Sequence, residues 1–470
     1  MPGLRIHMVA ICGVGMAPLA ILLKRAGHRV SGSDSAAYPP MSDALEAEGI
    51  AISAGYSVDN IPADTDLAIV GNAVPATNPE AEAVERLTVD RLSMPEAVAR
   101  FLLDGKESLV VAGTHGKTTT TAMLARALQT AGLEPGYLVG GAVPELGELA
   151  GQARGPHFVI EGDEYDTAYF DKRPKFIHYQ PSAAIVTSLE FDHADIYSDI
   201  DAIKYAFASL AELLPAGGAL VGCGDWPELV DAVASTGQGR FIRYGLGADN
   251  DWRLAAHEQT EQGQTYSAAY RGRSEDLISL VVPGTMNALN ALAVYALARE
   301  LGVSRAAVVE GLAGFRGAVR RQEVIGETAG VTVIDDFAHH PTAVAATLAA
   351  LRARYPGRKL RAVFEPRSNT SRRAVFQQRY AEALSAADSV VVSAVYAKDN
   401  DPLADDERLS TSDLVEQLES GGTKAWQADG PDEILERLTG KLRKGDVVVC
   451  MSNGAFGGLP RRLLEALAGG

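Results

Sequence analysis

The chain has 470 residues and a formal net charge of −17, from 43 basic and 60 acidic side chains. Hydrophobic residues make up 47% and charged residues 22%, a globular balance that excludes a disordered or collagen-like chain. At about 100–200 residues per domain the length predicts two to four domains, and the acidic balance argues against nucleic-acid or membrane-surface binding, which uses basic faces.

In chain order, residues 5–11 read as a strand, 13–16 as a turn, and 17–25 as a helix closed by Gly27. Residues 29–31 form the next strand, turning at Gly32-Ser33-Asp34, and 67–70 another, running into Gly71-Asn72. Strands alternating with helices predict a parallel sheet covered on both faces. The apolar pattern lapses at Asp104-Gly105-Lys106, which marks a first boundary. A second α/β segment has strands at 108–112, 157–161 and 184–188, antiparallel material at 265–270 and a strong helix at 288–300. A second boundary falls near Phe315-Arg316-Gly317, and a third set of strands follows at 331–334, 360–364, 389–393 and 446–451. The expected fold is three α/β domains, 1–105, 106–314 and 315–470.

Two uncharged stretches, 6–23 and 281–298, are broken by glycine, proline and polar residues, so neither reads as a membrane span or a signal-peptide core. Cys12, Cys223 and Cys450 are scattered, with no metal-knuckle spacing, and read as small buried hydrophobes in a reducing compartment. A cytoplasmic enzyme is expected.

Open α/β sheets bind ligands beyond the carboxyl ends of their strands. Six strands here run into unusual polar clusters, headed by Gly113-Thr114-His115-Gly116-Lys117-Thr118-Thr119. A glycine-rich turn between strand and helix exposes N–H groups to phosphate oxygens, Lys117 suits the β/γ-phosphates, and the Thr118 hydroxyl suits Mg²⁺. Val111 stands where the six-spaced form of this loop has glycine, so the loop is a shortened variant. Glu161 at a strand end can complete the Mg²⁺ shell; the alternative is a solvated acidic loop, since Asp163, Glu164 and Asp166 follow. His193 follows the next strand and is a further metal candidate. Adjacent His339 and His340 cannot chelate one ion together and suit nucleotide hydrogen bonding or a helix cap before Pro341. Arg320-Arg321 is either a salt-bridged surface pair or a means of reaching a γ-phosphate on domain closure. The Gly13-Val14-Gly15-Met16 turn supports pyrophosphate binding, but Pro18 replaces the third glycine of a dinucleotide fingerprint.

These residues resemble one family along the whole chain, the Mur ligases, ATP-dependent amide ligases of peptidoglycan precursor synthesis. The resemblance runs through I-C-G-V-G-M, GTHGKTTT, E-G-D-E-Y-D at 161–166, E-F-D-H-A-D at 190–195, G-T-M-N-A-L-N at 284–290, R-R-Q-E at 320–323 and D-D-F-A-H-H-P-T at 335–342. It implies a Rossmann-like amino-terminal domain, a central P-loop ATPase domain and a Rossmann-like carboxy-terminal domain, with ATP and Mg²⁺ as cofactors. It implies ATP contacts from Gly113 through Thr119, Asn287, Asn290, Arg321, Asp336 and His339, metal ligation by Thr118, Glu161 and His193, and catalytic roles for Lys117, Glu161, His193 and Arg321. UDP-N-acetylmuramate is expected on Gly13, Val14, Gly15, Met16, Ser33, Asp34 and Asn72.

Within the muramate-binding branch, two activities compete: addition of L-alanine, and joining of the tripeptide L-alanyl-γ-D-glutamyl-meso-diaminopimelate. A-Y-P-P-M-S at 37–42, E-Y-D-T-A-Y-F-D-K-R-P-K-F at 164–176, E-P-R-S-N-T at 365–370 and M-S-N-G at 451–454 resemble the tripeptide enzymes. A carboxylate-rich peptide calls for an anion clamp, and Arg367, Ser368, Asn369 and Thr370 offer one. Met286 stands where relatives often have histidine, and Ala208 where several carry a carbamylated lysine, for which Lys204 is a poor substitute. Two other classes are weighed: a nicotinamide oxidoreductase, which leaves Lys117 unexplained, and a P-loop regulatory ATPase, which needs no muramate.

Overall fold

The computed structural model describes residues 3–37, 40–87, 89–194, 196–397 and 403–469. Tyr38 and Pro39 of the 37–42 run, and Asp195 of the 190–195 run, lie outside the described residues. Three sheets follow one another along the chain. The first has the spatial order Ala51–Ala54, Arg29–Asp34, Arg5–Val9, Leu67–Val70, Asp90–Ser93, all parallel. Its strand Arg29–Asp34 includes Gly32, which the sequence suggested as a break. The backbone explains the glycine: a Cβ there would lie 2.4 Å from the Met8 carbonyl oxygen and 2.7 Å from Ile11 Cβ, so close packing demands it.

The central sheet has ten strands. Glu107–Ala112 lies between His157–Gly162 and Ala183–Val186, with Val111 opposite Glu161 and Ala112 opposite Val186. That parallel register puts three strand ends, and the loops that follow them, on one edge. Beyond Ala183–Val186 come Ala219–Cys223, Arg240–Gly245 and Trp252–Thr260, then the antiparallel strands Gly263–Tyr270 and Arg273–Leu280. The antiparallel material therefore extends the central sheet. Helices Lys117–Thr130 and Thr285–Glu300 pack on one face; the second is an Ala/Leu-rich helix buried nearly all round, as expected of one covered by sheet and neighbours alike. The opposite face shares its apolar core with the amino-terminal domain, including Met8, Leu19, Val110, Ile160 and Phe207.

In the third sheet, Val331–Asp336, Val447–Met451, Leu360–Phe364, Ser389–Ser393 and Lys424–Ala428 are parallel, and Glu323–Thr328 is an antiparallel edge. Side chains alternate with the period of two that a strand imposes: Val447, Val449 and Met451 join one core, Val448 and Cys450 the other. Both faces are buried, which accounts for the continuous V-V-V-C-M run. Gly105 (φ +68°) and Gly317 (φ +117°) lie between the sheets, in backbone that glycine adopts without strain. Cys12, Cys223 and Cys450 are unpaired and buried. Among the described residues no helix is long and apolar enough to cross a membrane.

Candidate active site

The loop after Glu107–Ala112 is shaped by two glycines. Gly113 has φ +126°, and a Cβ there would lie 2.2 Å from Thr187 Oγ1; Gly116 has φ +84° and would meet Asn290 Oδ1 at 2.8 Å. Gly116 is also the N-cap of Lys117–Thr130 and supplies no side-chain acceptor. The first N–H groups of that helix are therefore open to an anionic ligand.

Lys117 turns back over this loop. Its Nζ donates to the Gly113 carbonyl at 2.6 Å and to Glu164 at 2.9 Å. Burial alone would favour the neutral amine, but Glu164, Asp163 and Glu161 outweigh it and raise the Lys117 pKa above its ordinary value. Glu164 is 2% exposed and its Oε1 lies 3.6 Å from His193 Nε2, while Asp163 pairs with Lys175 at 3.0 Å. The run after Glu161 is thus an ion-pair network around the buried Glu164, with Asp163 and Asp166 partly exposed, rather than a freely solvated loop.

Thr118 Oγ1 donates to Glu161 at 3.2 Å and accepts from Arg321 Nη2 at 3.2 Å. Arg321 comes from the other side of the second boundary, so the pair considered as a surface feature is split: Arg320 holds Asp335 and the Ser452 and Gly454 carbonyls, and Arg321 reaches the P-loop over the Phe337 ring. Burial and Asp163 push the Glu161 carboxyl up to about 6, against the Gly140 N–H and Arg321. His193 adopts φ +51° and packs on the Tyr165 ring. Lys204 pairs with Asp201 at 3.7 Å.

A cleft runs from this loop to the third domain. His115, Gly116, Thr119, Asn287 and Asn290 line it from one side, Arg321 and Asp336 from the other, and Met286 lies on its wall. Asn287 Nδ2 donates to the Pro283 carbonyl, and the Asp336 carboxylate accepts the Gln322 and Ala338 N–H groups. His340 caps the helix Pro341–Arg354, its Nδ1 accepting from Thr342 N–H at 3.3 Å. His339 instead lines a second cleft with Asp192, His193, Arg367, Asn369 and Tyr396. There the Ser368 hydroxyl donates to Ser371 within the turn and the Thr370 hydroxyl to Asp192 across the cleft, so both are engaged, whereas Arg367 is 31% exposed and Asn369 is exposed.

In the first domain, Gly13, Val14 and Gly15 form the turn after Arg5–Val9, and Met16 opens a helix whose N-cap, Gly15, has no side-chain acceptor. Asp34 accepts the Cys12 N–H at 2.9 Å and braces that turn. Asn72 Nδ2 reaches the Asp166 carbonyl at 3.4 Å. Ser33 points inward and donates its hydroxyl to Glu80, a fully buried carboxylate that also contacts His7 and accepts from Asn60 and Ser57.

A residue the sequence did not single out ties the central domain to the third. Glu190 lies 2.9 Å from His115 Nε2, accepts Thr342 Oγ1 at 2.7 Å and pairs with Arg379, joining the P-loop to the third domain. Burial would raise its pKa, but His115, His340, Arg379 and Thr342 draw it down to about 2. Burial and His115 hold His340 down to about 4, so at neutral pH that ring does not carry the charge facing Glu190, and Arg379 does. His115, Glu190 and His340 have donor atoms close enough together for a metal, as do Glu96, Asp171 and His178, but Arg379 and Arg173 already pair with these carboxylates. The depressed Glu190 pKa means the folded state favours the carboxylate. The stability it contributes, on the order of 2 kcal/mol after discounting for solvent at Arg379, is full above pH about 4.5 and is lost as pH falls toward 2. In urea titrations, Glu190→Gln is expected to be less stable than the parent at pH 7, with the gap narrowing steadily below pH about 4.5.

Comparison with known proteins matches three family models in chain order: "Mur ligase family, catalytic domain" over residues 5–105, "Mur ligase middle domain" over 111–298, and "Mur ligase, glutamate ligase domain" over 320–454. The UDP-N-acetylmuramate–L-alanyl-γ-D-glutamyl-meso-2,6-diaminoheptandioate ligase of Escherichia coli K12 is 37% identical over 468 residues, covering 99% of this chain and 98% of that one. A crystal structure of a murein peptide ligase from Psychrobacter arcticus superposes with a TM-score of 0.75 at 32% identity, covering 99% of each chain. A UDP-N-acetylmuramate–alanine ligase from Thermotoga maritima superposes at 0.82 with 26% identity, covering 98% of each.

Proposed function

The chain belongs to the Mur ligase family, and from that premise we propose that it joins UDP-N-acetylmuramate to the recycled tripeptide L-alanyl-γ-D-glutamyl-meso-diaminopimelate, with ATP as the driving cosubstrate. It is an ATP-dependent ligase that forms a carbon–nitrogen bond. The full-length likeness to a tripeptide ligase carries the choice of substrate over L-alanine. Arg367, on the wall of the second cleft, supports it as an anion clamp.

A carboxylate is a poor electrophile, so the lactyl carboxylate of the muramate first attacks the γ-phosphate, releasing ADP and leaving an acyl phosphate. The peptide amine then adds to the acyl carbon, and the tetrahedral intermediate collapses with loss of phosphate. Two anions must meet in the first step, and phosphoryl transfer is catalysed chiefly by alignment and neutralised charge. Lys117, within the P-loop, and Arg321, reaching it from the third domain, supply that charge. Glu164 neutralises Lys117 until a phosphate oxygen replaces it. The helix N-terminus at Lys117 contributes N–H donors that need no rearrangement. The oxygen donors of Thr118 and Glu161, 3.2 Å apart, would suit a hard divalent cation, and His193, whose Nε2 lies 3.6 Å from Glu164, would be the third ligand that the family resemblance implies. Mg²⁺ held there would neutralise phosphate charge. Asp336 and Asn290 face the nucleotide cleft, and the Gly13–Gly15 turn suits the UDP pyrophosphate.

Phosphate release is the assay. With UDP-N-acetylmuramate and ATP, the tripeptide is expected to give turnover and L-alanine little. Preferential use of L-alanine would replace this reading with the de novo alanine-adding activity, and release without any muramate would point to an uncoupled ATPase.

A further inference from the structure

We propose that Tyr396 is a positioning residue that holds Arg367 ready for a peptide carboxylate and so sets the preference for anionic over neutral peptides. The inference rests on the second cleft being the peptide site. Arg367 follows the strand Leu360–Phe364 and carries a long side chain that an unbraced turn would leave mobile. Here its guanidinium carbon sits 3.6 Å from the Tyr396 ring centroid. On another side the space is closed by backbone: a Cβ on Gly454 would lie 2.2 Å from Arg367 Nε and 2.3 Å from Cδ. The side chain therefore has ring and glycine backbone as close neighbours. Tyr396 is itself anchored, its N–H donating to the Pro366 carbonyl at 3.0 Å, one residue before Arg367.

The charge of Arg367 is held in place without being consumed. Among the described residues its ion-pair partner is Glu365, at 4.0 Å, the outer limit of such a contact. Glu365 is 7% exposed, and its carboxylate accepts the Ser452 hydroxyl. A stacked guanidinium keeps its N–H edges free for two parallel hydrogen bonds to a carboxylate, the geometry in which arginine outperforms lysine. Ordering the arginine before the ligand arrives removes a cost that binding would otherwise carry, so the effect belongs in KM for the peptide. The ring supplies this bracing, and the phenol hydroxyl does not.

The test measures ligation with the tripeptide and with the same peptide bearing amidated carboxylates. Tyr396→Leu is expected to raise KM for the anionic peptide about tenfold, with kcat and KM for ATP within twofold of the parent. Tyr396→Phe is expected to restore the parental KM, and the amidated peptide is expected to show no difference between Tyr396→Leu and the parent. An unchanged KM in Tyr396→Leu overturns the proposal. So does a Phe variant as impaired as Leu, or an equal loss on the amidated peptide. Arg367→Ala separates the two levels of inference. A raised peptide KM in Arg367→Ala with none in Tyr396→Leu sinks the positioning role alone. No change in Arg367→Ala removes the peptide reading of this cleft, and the proposal with it.

Discussion

Ligation by Lys117→Ala is expected to fall by a factor on the order of 10³, with the fold retained. The ammonium is the P-loop's own cation, and removing a well-placed electrostatic donor typically costs 10²–10³ in rate. The fold should tolerate the change because the lysine opens the helix Lys117–Thr130 rather than filling a core, and alanine is the better helix former. The cost falls on Glu164, left buried without the ammonium it pairs with. Circular dichroism and thermal unfolding check the fold, and phosphate release checks the rate. A variant that keeps most of its activity would remove Lys117 from the chemistry.

Arg321→Ala is expected to lower kcat by about 10²–10³ while leaving ADP affinity within a few-fold of the parent. The distinction comes from position. Arg321 crosses from the third domain to the Thr118 hydroxyl and packs over Phe337, so it lies at the loop that meets the terminal phosphates. Arg321→Lys should recover only part of the loss, since an ammonium keeps the charge but not the planar fork. Should ADP binding weaken as much as turnover, Arg321 would belong to the diphosphate or adenosine contacts and not to the transferred phosphoryl group.

What was legible in the sequence was whatever is written locally. Strand cores such as Leu67–Val70, 362–364 and 390–392 are short apolar runs ended by turn or polar residues, and their positions follow directly. The phosphate loop is a contiguous motif, and its glycines stand where the backbone needs positive φ. Gly32 shows the opposite case: a glycine that looks like punctuation is inside a strand because another backbone lies against it. The partners that brace the site were not legible, because each joins residues far apart in the chain. Glu190 meets Arg379 and Thr342 across two domains, Glu164 meets Lys117 from a different strand end, and Tyr396 meets Arg367 from the neighbouring one. No spacing rule relates those pairs. A run of acids such as 161–166 reads equally as solvated surface or buried network until the sheet shows which side it faces.

The central claim is that the muramate carboxylate is phosphorylated before the peptide amine attacks. UDP-N-acetylmuramate carrying ¹⁸O in its lactyl carboxylate, turned over with the tripeptide and ATP, tests it by mass spectrometry of the released phosphate. Transfer of one ¹⁸O to each phosphate formed is the predicted result; phosphate free of the label, with product still accumulating, would contradict it.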